Sequence, residues 1–282
     1  MAAQTVAAGA AQPAKAVRFF PREHGATAML FTPIVCAAIL ARTWSWAELA
    51  TATAAFAAIA AKDPLVILAR QHFVWKQTHS ETAPARRWFA GWSVLLCASG
   101  MVLLAASPLK AVLALGAGVA AFSILVVVVN VKNRQRSTLF QIASAAALTS
   151  SSLATSLSAT GAIQRWCWWL WLLLALQTTA GILVVHARLD ASIALRSPLP
   201  AQNSFRRAAQ VSLAVLTMAA IAAAAMGHWL IPAALLIAVA GYAYELHRQR
   251  DSVALQLPLA SVGRRALALS SVFAILLVAG LW

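Results

Sequence analysis

The sequence predicts an all-α, polytopic transmembrane helical bundle of about nine spanning helices, and three observations carry that prediction. Hydrophobic residues make up 62% of the 282 positions and charged residues only 10%, far more apolar surface than one soluble core can bury. The apolar residues fall into runs close to the length that crosses a hydrocarbon core, with short polar loops between them. Lys and Arg number 22 against 7 Asp and Glu, and they gather in alternate loops, the pattern of a chain oriented by its positive charge. A net charge of +15 would suit nucleic acid, but the basic residues interrupt apolar runs instead of forming a stripe on a soluble face. No nucleic-acid partner is expected; the bilayer is.

Residues 1–20 are rich in Ala, with scattered Gln, Gly and Pro and no helical periodicity, so a disordered tail is expected before a single transmembrane domain over 21–282. The first span runs from Gly25 to about Ala41 with Pro33 as a kink, and Trp44 and Trp46 mark an interface after it. The segment could imitate a secretory signal, but the many later spans make an uncleaved helix the simpler account. The second span, Ala47 to about Arg70, is interrupted by Lys62-Asp63-Pro64. Asp before Pro reads as a cap and first turn, so the helix breaks and restarts there. Two readings stay open for this pair: a kink with a local ion pair, or an intramembrane functional site.

A polar loop is expected over 71–87, then spans from about Trp88 to Ser107 and Leu109 to Asn130 with a tight Ser107-Pro108 turn between them. A basic loop, 131–137, precedes a fifth helix from about Thr138 to Ala162, which carries Thr149, Ser150, Ser151, Ser152, Thr155, Ser156 and Ser158. Small hydroxylated residues in lipid serve close helix packing first and a polar wall second. The sixth helix, Trp166 to His186, opens on an aromatic belt; a loop with Arg188, Asp190 and Arg196 follows. The last three spans are 208–226, 228–246 and 266–282. Loops on the side of the N-terminus then hold 18 of the 22 basic residues, which predicts a cytoplasmic N-terminus and an external C-terminus in the bacterial cytoplasmic (inner) membrane. Cys36, Cys97 and Cys167 have no metal-ligand spacing and are expected to be packing residues.

The charged threshold of the first span, Phe20-Pro21-Arg22-Glu23-His24-Gly25-Ala26-Thr27-Ala28-Met29-Leu30 with Pro33 downstream, resembles the opening signature of the YwiC-like family of bacterial integral membrane proteins. Thr27 stands where that family often has Trp. The resemblance implies a membrane protein and brings no established activity with it. A more distant resemblance is to the UbiA superfamily of intramembrane prenyltransferases, nine-helix bundles with a cytoplasmic N-terminus and Asp-rich motifs after helices two and six. Asp63 lies near the first motif, and Asp190-Ala191-Ser192-Ile193-Ala194-Leu195-Arg196-Ser197 is similar to the tail of the second. That resemblance implies Mg²⁺ held by carboxylates against a prenyl diphosphate. Val66 and Ile67 stand where further carboxylates would be wanted, so no cofactor beyond conditional Mg²⁺ is expected.

Two functions compete on these residues. In the first, a UbiA-like binding protein or prenyltransferase-like enzyme takes a prenyl or lipid diphosphate at the cytoplasmic mouth. Glu23 or His24 is the candidate catalytic base, and Arg22, Lys62, Asp63, Arg70, Arg136, Arg188, Asp190 and Arg196 are the candidate substrate-binding set. In the second, a non-catalytic protein binds or moves a lipid or small anion, with Lys62 and Asp63 lining its path. For His24 and Glu23 a purely structural role, fastening the first helix to its neighbours, stands beside both.

Overall fold

The computed structural model describes residues 24–132, 137–196 and 204–282, all helix and short connection. The helices are α1 (His24–Ala41), α2 (Trp46–Ala60), α3 (Lys62–Arg70), α4 (Thr82–Ala106), α5 (Leu109–Val131), α6 (Thr138–Thr149) and α7 (Ser151–Thr160). They continue with α8 (Arg165–Ala194), α9 (Ser204–Ala225), α10 (Leu230–Arg248), the short α11 (Ser252–Gln256) and α12 (Leu259–Leu281). A π-helical turn, Gln71–Trp75, extends α3 and closes on Lys76 in the left-handed region at φ 54°. The sequence expectation of a disordered tail over 1–20 lies outside the described residues.

Among the described residues, seven helical runs are long and apolar enough to cross a membrane, one of them the Trp46–Trp75 run that α2, α3 and the π-helical turn make together. The chain is therefore a multi-pass membrane protein. Nine such runs were expected, and the two that differ have identifiable causes. The first is the short apolar helix of α1. The fifth is divided at Ser150, where side chains compete with the helical ladder: Thr149 Oγ1 donates to the Ala145 carbonyl at 3.0 Å, and Ser150 Oγ to that of Ala147 at 2.7 Å. Such back-bonding bends helices, and here α6 and α7 part company.

Two boundaries also move. α4 begins at Thr82, earlier than expected, because Pro84 sits in its first turn where a missing N–H costs nothing. α8 runs on through Ala194, two turns past the expected end at His186. Arg188 and Asp190 thus stand on a helix and not in a loop. The charges around them end the apolar span, but Ala187, Leu189, Ala191 and Ala194 are good helix formers and keep the backbone wound.

The helices gather into two groups joined by α1. α8, α9, α10 and α12 pack around the main core, with Leu170, Leu235, Phe273 and Leu277 wholly buried and α6 lying along α8. α2 packs on α4 and α7, and α3 on α4 and α5. α1 touches both, placing Cys36 and Ala37 in the main core while its strongest contact is with α7. That contact is close because α7 offers small side chains: Ser151, Ser152, Thr155, Ser156 and Ser158 are all buried, and Ser151 Oγ donates to the Leu30 carbonyl at 2.8 Å. Across α2, Thr51 Oγ1 lies 2.8 Å from Ser158 Oγ. The hydroxyl row serves packing, and none of these buried residues lines the cavity described below.

The α8 group carries its own buried polar cluster. Gln177 Nε2 donates to the Tyr242 hydroxyl at 2.6 Å and to Ser270 Oγ at 2.9 Å, while Tyr242 donates back to the Gln177 carbonyl at 3.2 Å. Gly181 makes room for that ring, since a Cβ there would meet the Tyr242 oxygen at 2.8 Å. The substitution Gly181→Ala should therefore overpack the α8–α10 contact and cost about 1–3 kcal/mol. Denaturant unfolding in detergent micelles checks this, with Gly118→Ala, which meets open space on α5, expected to be near neutral or slightly stabilising.

Candidate functional site

A cavity of about 1090 Å³, large enough to hold an organic ligand, is lined by α2, α3, α4, α5 and α6, with Met29 of α1 and Ile182 of α8 also contributing. Its existence follows from how α5 is held. This helix has the highest mean hydropathy of the seven spans, 2.8, and almost none of it is buried. It packs mainly on α3 and only sparsely on α4, α7 and α2. At its first end the Ser107-Pro108 turn is fastened to the end of α7, with Ser107 Oγ donating to the Ser158 carbonyl at 3.0 Å. At its last end Arg70 Nη2 donates to the Asn130 carbonyl at 3.0 Å. Between these two fixings α5 stands off from α6, and the space between is the cavity.

The wall is apolar over most of its length. Along α5 it is lined from Val112 to Asn130, and along the antiparallel α4 from Phe89 to Leu103. At 1.5 Å per residue the α5 wall is about 27 Å long, nearly the full hydrocarbon thickness of about 30 Å. Asn130 and Gln141 flank the short connection between α5 and α6 and so lie at the same end. Lys62 and Asp63 line the cavity deeper in, about 12 Å along α3 from Arg70. Their side chains approach to 3.7 Å and remain partly exposed, 32% and 59%. Ser93, Ser123 and Ser144 add hydroxyls to the wall.

The structure brings together part of the set expected from sequence. Lys62 and Asp63 face the cavity, and the helix does restart at this point, but Asp63 is not its cap; Ala61 occupies that position, and Asp63 lies in the first turn of α3. Arg70 reaches the end of α5, next to the cavity-lining Asn130. Arg188 is elsewhere. Its guanidinium is buried and donates to the carbonyls of Ala254 at 2.8 Å and Leu257 at 3.1 Å, closing the end of α11. Arg196 is exposed in the turn after α8. Asp190 has one carboxylate oxygen buried without a hydrogen-bond partner among the described residues. Arg22, Glu23 and Arg136 lie outside the described residues, and His24 is described only as the backbone that opens α1.

Asn130, Gln141, Ser144 and His186 belong to this region and were not singled out from sequence. The Nε2–H of His186 donates to Gln141 Oε1 at 2.8 Å, and its ring stacks on Phe205 with centroids 5.0 Å apart. His186 thus orients a cavity-lining amide from behind. The signal was present, as polar residues inside or at the ends of apolar runs, but only the packing decides which way each faces.

The donor set among the described residues does not fit a Mg²⁺–diphosphate cradle. Among the described residues no group of three His, Cys, Asp or Glu side chains could hold a metal ion. Three of the seven carboxylates already serve the fold. Glu48 completes the capping box of α2 with Ser45 and also accepts from Thr43. Glu245 holds Arg265 through two hydrogen bonds, 2.5 and 3.2 Å, and Asp251 caps α11 by accepting from Val253 N at 2.9 Å. What the cavity offers is a long apolar slot with amides, hydroxyls and one Lys–Asp pair along it, which suits a chain with a polar head.

If Arg188 only closes α11, then Arg188→Met should destabilise the fold by about 1.5–3 kcal/mol and speed amide exchange over 252–257, while leaving cavity binding unchanged. Hydrogen exchange by mass spectrometry reads both effects in one experiment.

Comparison with curated proteins finds no match. Residues 20–156 match the family model described as YwiC-like protein. That stretch holds every cavity-lining residue but Ile182. Over the half of the chain that builds the cavity, this membrane protein is similar to the YwiC-like family.

Proposed function

We propose that the protein binds a lipid with a long apolar chain and an anionic head, the chain lying in the α4–α5–α6 slot and the head among Lys62, Asp63, Asn130 and Gln141. The observation that supports this is the cavity itself: a space of about 1090 Å³ whose wall, some 27 Å long, is mostly apolar, with the Asn130 and Gln141 amides at one end and the Lys62–Asp63 pair about 12 Å further in. A small inorganic anion would leave most of that apolar wall empty. A prenyl or acyl chain would cover it, and Lys62, with Arg70 behind Asn130, would supply positive charge to a phosphate or diphosphate head. A UbiA-like arrangement is compatible with this reading at the level of the ligand.

The reading adopted is binding or carriage of the lipid. A transferase would need acid–base and leaving-group chemistry from Glu23, His24 and Arg22 together with Asp190, and the carboxylates among the described residues are too few to hold the Mg²⁺ that would neutralise a departing diphosphate. The test is native mass spectrometry of protein extracted from membranes and of delipidated protein offered prenyl and alkyl phosphates. Retention of a phosphorylated single-chain lipid is expected. Ala120→Phe, which fills the slot from α5, should abolish it, and Lys62→Met should weaken it about 10- to 100-fold, the worth of a hydrogen bond to a charged head. A protein that emerges with no lipid, takes up none, and behaves identically as Ala120→Phe would sink the proposal.

The same reading includes nine crossings with the N-terminus in the cytoplasm. At 1.5 Å per residue, the 18 residues of α1 cover about 27 Å, and α6 with α7 more than 30 Å, so both reach across a slightly thinned bilayer. The basic loops would then share the cytoplasmic side with the polar end of the cavity. Reporter fusions at the two termini should fall on opposite faces, the N-terminal one inside. Both reporters on one face would require an even number of crossings.

A further inference from the structure

Resting on the lipid-binding reading, we infer that the cavity measures the length of its ligand's chain, with Leu103 and Val112 as its floor and Gly100 and Gly116 setting the width just above it.

Asn130 and Gln141 lie at one end of the slot, with Lys62 about 12 Å further in; Leu103, late in α4, and Val112, early in α5, lie at the other end. Packed side chains lie across this far end. Leu103 and Val112 line the cavity and also form a small core cluster with Ala47 and Ala50 at the start of α2. Behind them the Ser107-Pro108 turn is fixed to α7 through the Ser107–Ser158 hydrogen bond, and Pro108 packs on Gly161. A chain descending from the polar end meets packed protein there.

The two glycines are placed one turn inward from that floor, one on each helix. Gly100 precedes Leu103 by three residues and Gly116 follows Val112 by four, spacings that put each glycine on the same helix face as its neighbour. Both line the cavity, and a Cβ built on either meets no atom within 4 Å. Packing of one helix against another therefore does not require glycine at either place. The space they leave belongs to the ligand. Gly118 offers the contrast: it also meets open space, but it does not line the cavity.

A closed floor matters more here than in a soluble protein. Lipid tails are as apolar as the cavity wall, so moving an added methylene from bilayer to slot changes little. Chain length is then read by exclusion. Chains that end above the floor bind about equally, and longer ones must displace Leu103 or Val112, which carries the cost of overpacking.

The test offers purified wild-type protein in nanodiscs an n-alkyl monophosphate series from short to long chains and reads occupancy by native mass spectrometry. A plateau is expected, followed by a drop of about tenfold or more at one length. Gly100→Leu and Gly116→Leu should move the drop to shorter chains, Val112→Ala to longer ones, and Gly118→Leu should leave it in place. Gly116→Leu and Gly118→Leu lie on the same exposed helix, so a general loss of fold would affect both and is told apart. Binding that persists in all variants with one unchanged cut-off, or with no cut-off, overturns the inference alone. Binding of no member of the series by wild-type protein overturns the lipid-binding reading beneath it.

Discussion

The rest of the molecule depends on how closely α1 and α7 approach. Two helices in lipid have no hydrophobic reason to associate, so their contact must come from fit and from polar groups that find each other. α7 supplies both: side chains no larger than Ser and Thr over one face, and a hydroxyl that reaches the Leu30 carbonyl. That carbonyl sits in the turn that Pro33 disturbs by lacking an N–H. α1 is thereby held against α7 on one side and inserted into the α8 group on the other. Because α7 stays with α1 and α2 while α6 follows α8, the break at Ser150 separates two halves of one helix between two groups. The cavity is the room this leaves, closed on its outer side by α5.

Much of the architecture was legible in the sequence. The all-α class, the apolar runs, the break at Lys62-Asp63-Pro64 and the packing role of the hydroxyl row all follow from composition and local chemistry. What could not be read were matters decided by competition between signals. Charges at Arg188 and Asp190 marked the end of an apolar run, yet helix propensity carried α8 past them. Thr149 and Ser150 are ordinary residues until their hydroxyls turn back on the ladder together.

The site was legible in part for a related reason. Lys62 and Asp63 stood out because charge inside an apolar run is costly wherever it faces, whereas Asn130, Gln141 and Ser144 carry no such cost and are found only once the helices are placed. Arg188 shows the opposite error. A buried guanidinium is costly too, but its cost is offset by the carbonyls of α11 and not by a ligand. Charge in an apolar setting thus says that a partner exists without saying whether it is protein or substrate.

α5 has a further consequence. One of its faces looks out to lipid, with Leu113 and Ile124 exposed, and the other looks into the cavity. Such a helix is solvated on both sides by something other than its own protein, and it is fixed mainly at its ends. Anything that fills the cavity adds contacts to the folded state that the dispersed helices lack, and so stabilises it by mass action. The occupant would act as a missing layer of the bundle, and the composition of the surrounding membrane would set how firmly the protein holds together.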